Sequence, residues 1–268
     1  MVGDRAGILG NCRVYVKKAI QYVPILGWGW GFSDTPFLAR DWEQDQHTIE
    51  RRLADLQDYP DPVWILLFPE GTRFTKDKYE ASKKFAESRG LPVLKHHLVP
   101  RTKGFCYTVS HLDPGRVCWV YDVTLGCEQA TPPTLTAVLS GRPTAAHMYI
   151  RRFRLEDVPR EEVAAAAWLA ERFQEKDELL EAFHTTGSFP GQPRGHQLQR
   201  RLGSLVLSLT VNCLVVLPSV YYLLTSAGWL SVLAASAVLA VSTLGIKYFI
   251  GITQISKSSS YGEKKKQT

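Results

Sequence analysis

The passage Trp64-Ile65-Leu66-Leu67-Phe68-Pro69-Glu70-Gly71-Thr72-Arg73 constrains this chain more than any other. An apolar run stops at a proline and turns at once into an acid, a glycine, a hydroxyl and a base. Such a run reads as a buried strand over Val63–Phe68 that delivers a tight polar turn to the edge of a sheet. Open α/β sheets bind ligands at strand ends of this kind. Gly71 permits a bend or the close approach of a ligand. Arg73 presents a planar fork of donors suited to a phosphate. Glu70 can hold that fork, and Thr72 can donate a hydroxyl. Taken alone, the passage is equally an ordinary strand and a solvated turn, so the rest of the chain has to decide.

Two other places repeat the pattern. Phe37-Leu38-Ala39 ends in Arg40, and Leu98-Val99-Pro100 runs into Arg101-Thr102-Lys103-Gly104-Phe105. One phosphate held by Arg40, Arg73 and Arg101 or Lys103 explains all three; solvated basic loops explain them as well. Between these steps the periodicity predicts helices over Asp45–Gln57, Lys78–Arg89 and Glu161–Phe183, the second stopping at Gly90 and Pro92. Short strands are expected at Val14–Val16, Val117–Val123 and Met148–Phe153. The aromatic stretch from Tyr22 to Phe32 holds Pro24, Gly27, Gly29 and Gly31, which rule out a long helix. It reads as an aromatic loop, either seeking a membrane interface or packed in the core. No internal repeat is present.

Two apolar runs follow a Gly/Pro-rich linker, from Leu202 to Leu224 and from Trp229 to about Ile246. Each is near the ~20 residues that span a bilayer. Arg194, Arg200 and Arg201 precede the pair, and Lys247, Lys257, Lys264, Lys265 and Lys266 follow it. The expectation is a transmembrane helical hairpin with both ends cytosolic; a pair of buried core helices is the alternative. The net charge of +6 suits an anionic membrane or small molecule. Without a basic low-complexity arm, nucleic acid ranks low. Five cysteines lie scattered without metal-type spacing, as reduced thiols facing the cytosol do. The N-terminus lacks a signal-peptide pattern.

Phe68-Pro69-Glu70-Gly71-Thr72-Arg73 resembles the third motif block of the glycerolipid acyltransferases, the family of lysophosphatidate and glycerol-3-phosphate acyltransferases. Phe37-Leu38-Ala39-Arg40 is similar to the second block, and Leu98-Val99-Pro100 to the fourth. Tyr22–Trp28, Leu94–Phe105 and the apolar tail pair are similar to the gamma/delta-type 1-acyl-glycerol-3-phosphate acyltransferases. The resemblance runs from about residue 8 to 262. It implies an α/β domain, a mixed sheet flanked by helices, over 1–186, then a linker over 187–201, the transmembrane pair over 202–250 and a basic tail over 251–268. It implies acyl transfer from acyl-CoA, a co-substrate, to the sn-2 hydroxyl of lysophosphatidate at the endoplasmic reticulum membrane, with no metal or cofactor. The phosphate would fall to Arg40, Glu70, Gly71, Thr72 and Arg73, with Pro100, Arg101 and Lys103 contacting phosphate or acyl-CoA.

The family's first block, Asn-His followed by four residues and an aspartate, supplies the base. Here the residues five places after His47, His96, His97, His111, His147, His184 and His196 are Arg52, Arg101, Thr102, Arg116, Arg152, Phe189 and Arg201. None is aspartate, so no catalytic residue is assigned, and the adjacent His96 and His97 are expected to be structural. The block would fall just upstream of Met1, which makes Met1 look like an internal start. The expectations for this chain are little or no turnover, a domain short of one layer, and either an acyltransferase recorded in part or a membrane protein that binds lipid phosphate and pairs with other chains.

Overall fold

A computed structural model describes residues 11–22, 26–33, 35–39, 41–128, 145–191, 203–225 and 228–253, with 134, 137, 140 and 142 singly. The described residues divide into two compact units, one comprising those between 11 and 128 and between 145 and 190, the other 191, 203–225, 228–253 and the four single positions.

The first unit opens with two very short strands, β1 (Cys12–Val14) and β2 (Val16–Lys17), and a 3-10 turn at Lys18–Tyr22. Helix α1 (Leu26–Phe32) follows Pro24, so the aromatic stretch is a short helix where the sequence suggested a loop. Strand β3 (Phe37–Leu38) leads into α2 (Trp42–Gln57), capped by Asp41, whose carboxylate accepts from the Glu43 amide. Strand β4 (Trp64–Leu66) is shorter than expected; Pro62 and Pro69 bracket it and remove ladder donors. Helix α3 (Lys76–Arg89) stops at Gly90, whose φ of 64° is the left-handed cap that glycine favours. Helix α4 (Thr102–His111) went unread in the sequence. A hairpin ribbon, β5 (Trp119–Cys127) and β6 (Ala146–Arg154), precedes the long helix α5 (Glu162–Thr186).

The strands form three separate pairs rather than one mixed sheet: β1 with β4 and β2 with β3, both parallel, and β5 with β6, antiparallel. The expected sheet is thus corrected. Two- and three-residue strands cannot build a wide ladder, and Tyr15 interrupts β1 and β2 at the point where they would join. One face of these strands meets a core of Ile49, Leu53, Phe105, Val109, Leu169 and Phe173 from α2, α4 and α5, against which Ile65, Leu67, Val120 and Phe153 also pack. Burial there pushes the Tyr15 hydroxyl up to about 12, although it shares a hydrogen bond of 3.0 Å with Thr108.

A charged network ties the ribbon to α5. Asp122 accepts from Arg151 at 2.6 and 3.1 Å and from Lys176 at 2.7 Å. Lys176 also donates to the Val123 carbonyl at 2.6 Å, and Arg151 pairs with Glu175.

In the second unit the transmembrane hairpin expected over 202–250 is overturned: among the described residues no helix is long and apolar enough to cross a membrane. The first run is no single α-helix. It divides into α6 (Gly203–Val211), a π-helical stretch at Asn212–Val216, and α7 (Leu217–Thr225). In α8 (Trp229–Thr253) the described part interleaves Ser231, Ser236, Ser242, Thr243 and Lys247 with its apolar residues. The linker residues 192–201 and the tail beyond 253 lie outside the described residues.

Candidate functional site

The polar turn that ends β4 is built as its residue types require. The Gly71 amide donates to the Phe68 carbonyl at 2.9 Å, closing a four-residue turn with Pro69 second and Gly71 last. Gly71 leaves it with φ at 65°, where a side chain is strained. Thr72 is half-buried beside it, and Arg73 is exposed to solvent.

The turn is fastened to the stretch before α4 by two hydrogen bonds. Pro69 offers its carbonyl to the Arg101 amide at 2.7 Å, and the Glu70 carboxylate accepts from the Leu98 amide at 3.1 Å. The third and fourth motif stretches, far apart in sequence, therefore form one surface. Burial pushes the Glu70 carboxyl up. The Leu98 amide and the charges of His97 and Lys176 oppose that rise, and Asp177 adds to it. From the α3 side, Ser82 accepts from the Val99 amide at 2.9 Å.

The far side of the same stretch is held by α5. Asp177 accepts from the amides of Lys95 and His96, both at 2.7 Å, and of His97 at 3.1 Å, while the His97 ring Nδ1 lies 3.2 Å away. Glu181 takes the His96 ring at 2.8 Å and Lys95 at 3.3 Å. Both histidines of the pair thus address carboxylates of α5. Burial acts to raise the Asp177 carboxyl, but the His97 hydrogen bond and the amides outweigh it and hold the group below the usual carboxylate range.

Of the residues singled out in the sequence, Glu70, Gly71, Pro100 and Arg101 meet in this surface, with Thr72 and Arg73 continuing the turn. Arg101 stands exposed at the start of α4. Lys103, the second residue of α4, sets its ammonium 5.9 Å from the Trp42 ring, and Trp42 meets Tyr107 edge-on at 5.7 Å. Trp42 opens α2, and Asp45 of that helix accepts from the Ala39 amide at 2.7 Å, so the second motif stretch approaches α4 from this side. Arg40 itself lies outside the described residues. Asp177, Glu181 and Ser82 escaped sequence reading. They sit on helices whose acids and hydroxyls look like solvated faces, and no local spacing separates them from their neighbours. Among the described residues no group of three or more His, Cys, Asp or Glu is arranged to hold a metal ion.

A family model described as Acyltransferase matches residues 2–127, and one described as Acyltransferase C-terminus matches 137–211. The chain is 43% identical over 274 residues to 1-acyl-sn-glycerol-3-phosphate acyltransferase delta of Mus musculus, covering 100% of this chain and 71% of that protein. It is 42% identical to the delta protein and 41% identical to the gamma protein of Homo sapiens, each over 97% of this chain and 69% of the relative. No solved structure matches. The strand-end turn and its clasp thus belong to an acyltransferase. Within that class the chain belongs to the family of the 1-acyl-sn-glycerol-3-phosphate acyltransferases, delta and gamma being relatives.

Proposed function

We propose that the Glu70–Arg73 turn, with Arg101 and Lys103, holds the phosphate of lysophosphatidate so that its sn-2 hydroxyl is acylated from acyl-CoA. The observation that carries this reading is the double fastening of the turn to the 98–101 stretch, through Leu98 to Glu70 and Arg101 to Pro69. It brings cation-bearing segments to one surface and leaves Arg73 and Arg101 exposed to an anion. In the reaction the hydroxyl oxygen bonds to the thioester carbonyl carbon, the carbon–sulfur bond breaks, and a base takes the hydroxyl proton, which returns to the CoA thiolate.

None of the seven histidines has an aspartate five places on, the spacing of the family's first block. We therefore assign these 268 residues the substrate-holding half of the site, with anionic-lipid binding and little turnover of their own. A membrane surface of the endoplasmic reticulum is the compartment we propose, to be checked by fractionation. Purified chain is to be assayed with labelled acyl-CoA and lysophosphatidate, and by calorimetry for lysophosphatidate binding. The expected result is binding that weakens at least tenfold in Arg73→Ala, with transfer near background. Binding indifferent to Arg73→Ala refutes the phosphate assignment. Transfer at the rate of a relative with the His-x4-Asp block refutes the division of labour.

A further inference from the structure

The β5–β6 ribbon has two faces of opposite character. Its inner face carries Asp122 and Arg151 into the network with α5 and sets Gly126 against Phe183. On the outer face Val123 stands opposite Ile150 and Leu125 opposite Met148, while at the other end Tyr121 stands opposite Arg152 and Trp119 opposite Arg154. An antiparallel sheet with one solvated face alternates apolar-in with polar-out. Here the outward face is itself largely apolar, its apolar residues between 37% exposed at Trp119 and 52% at Leu125. Contiguous apolar surface of this kind marks a contact site.

The arginines indicate what it contacts. Arg151 turns inward and is neutralised by Asp122 and Glu175. Arg152 and Arg154 turn outward, with guanidinium carbons 4.1 and 5.8 Å from the centre of the Trp119 ring, and neither pairs with a carboxylate among the described residues. Along the ribbon, aliphatic side chains occupy one end, and phenol and indole occupy the other, level with the two guanidiniums. Going outward from its hydrocarbon, an anionic leaflet presents the complementary order: acyl chains, the zone where Trp and Tyr settle, and phosphates. Trp119 and Leu125 lie ~20 Å apart at ~3.3 Å per residue, more than the ~5–10 Å to which a surface-bound element dips. The ribbon must therefore lie obliquely, which also keeps its two open edges in the hydrated zone. Trp64 stacks on Tyr121 at 5.6 Å, and Leu66 and Phe68, both exposed, follow it in the chain on the way to the Pro69–Arg73 turn.

We propose that the outer face of this ribbon docks the chain on an anionic bilayer, with Arg152 and Arg154 on lipid phosphates and Val123, Leu125, Met148 and Ile150 in the acyl region. This docking does not rest on the reading of the Glu70–Arg73 turn as a phosphate site.

The test uses the full chain and co-sedimentation with vesicles of phosphatidylcholine alone or with phosphatidylserine. Wild type should prefer the anionic vesicles, and Arg152→Ala/Arg154→Ala should reduce that preference about thirty-fold, at the increment typical of two surface cations. Leu125→Ser/Ile150→Ser should weaken binding to both kinds of vesicle. Unchanged thermal melting shows that each variant is folded. The proposal is overturned if wild type shows no anionic preference, or if the double arginine variant retains it. It is equally overturned if Leu125→Ser/Ile150→Ser splits a wild-type oligomer and leaves vesicle binding untouched, which gives the face to a polypeptide. The vesicles contain no lysophosphatidate, so this result and that for the turn succeed or fail independently.

Discussion

Asp177→Ala tests whether a helix remote from the motifs holds the site together. The Asp177 carboxylate accepts three backbone amides, of Lys95, His96 and His97, and faces the His97 ring, while only 9% of the residue is exposed. Hydrogen bonds to a charged group contribute ~1.5–3 kcal/mol each, and a buried donor left unpaired costs ~1–3 kcal/mol. Lys95 is exposed and His96 half-buried, so water can replace their partner at modest cost; His97 is buried and its donors cannot be rescued. One orphaned residue and two re-solvated amides give a loss of about 3–5 kcal/mol. That is a large fraction of the ~5–15 kcal/mol typical of a domain. The pH dependence follows from the depressed native pKa of the group. Its stabilisation is fully present above the unfolded value of ~3.9 and is lost as pH falls through the lower native value. Urea unfolding of wild type and variant near pH 7 and again below ~pH 4 measures both effects. The gap should be wide at neutrality and narrow in acid. Hydrogen exchange adds a local readout: the Leu98 and Arg101 amides, which fasten the turn, should exchange faster in the variant. A gap under ~1 kcal/mol at neutrality, or one that ignores pH, refutes the clamp.

Glu70→Gln probes the opposite sign, because burial raises that carboxyl. Wild type is favoured most below the ordinary glutamate range of ~4.3 and loses ground as pH rises through the raised native value, so the amide variant should gain on wild type in denaturant melts from acid to neutrality. A difference independent of pH counts against a desolvated Glu70. Gly126→Ala should cost about 1–3 kcal/mol in the same melts, since the new Cβ would lie 2.8 Å from the Phe183 ring, which is itself wedged against Phe189 at 4.9 Å. Gly71→Ala should cost ~1 kcal/mol through its φ of 65°, and a neutral result would show that the turn is not held in that conformation.

The residues whose roles are local were legible in the sequence. The helix from 42 to 57 shows through Ile49, Leu53 and Leu56 on one face; Gly90 ends the next helix because only a residue without Cβ suits that cap; and Pro69-Glu70-Gly71 reads as a turn because each type has one job there. Local signals also misled. Val63–Phe68 has strand composition, but a strand persists only where a neighbour offers a ladder, and β1 offers three residues. The apolar tail has the composition of a membrane pair, yet Asn212–Val216 departs from α geometry inside the first run. Helix α4 was missed because Gly104 in its first turn is a poor helix former; Phe105, Cys106 and Val109 bury one of its faces and override that preference.

Asp177 marks the boundary of what pattern can disclose. In sequence it is one of four charged residues in the run Glu175-Lys176-Asp177-Glu178. Helical periodicity assigns each of the four a direction, but says nothing of which loop returns to meet it. In the structure the run splits by destination: Glu175 and Lys176 go to the ribbon, and Asp177 goes to the 95–97 amides. Backbone amides carry no sequence signature, so a carboxylate that caps a distant loop looks identical to one that caps nothing. The same holds for Glu70, which the sequence suggested as a brace for Arg73 and which accepts from the Leu98 amide. The motif residues advertise the chemistry of the site, while its geometry is set by amide–carboxylate pairs that only the folded chain brings together.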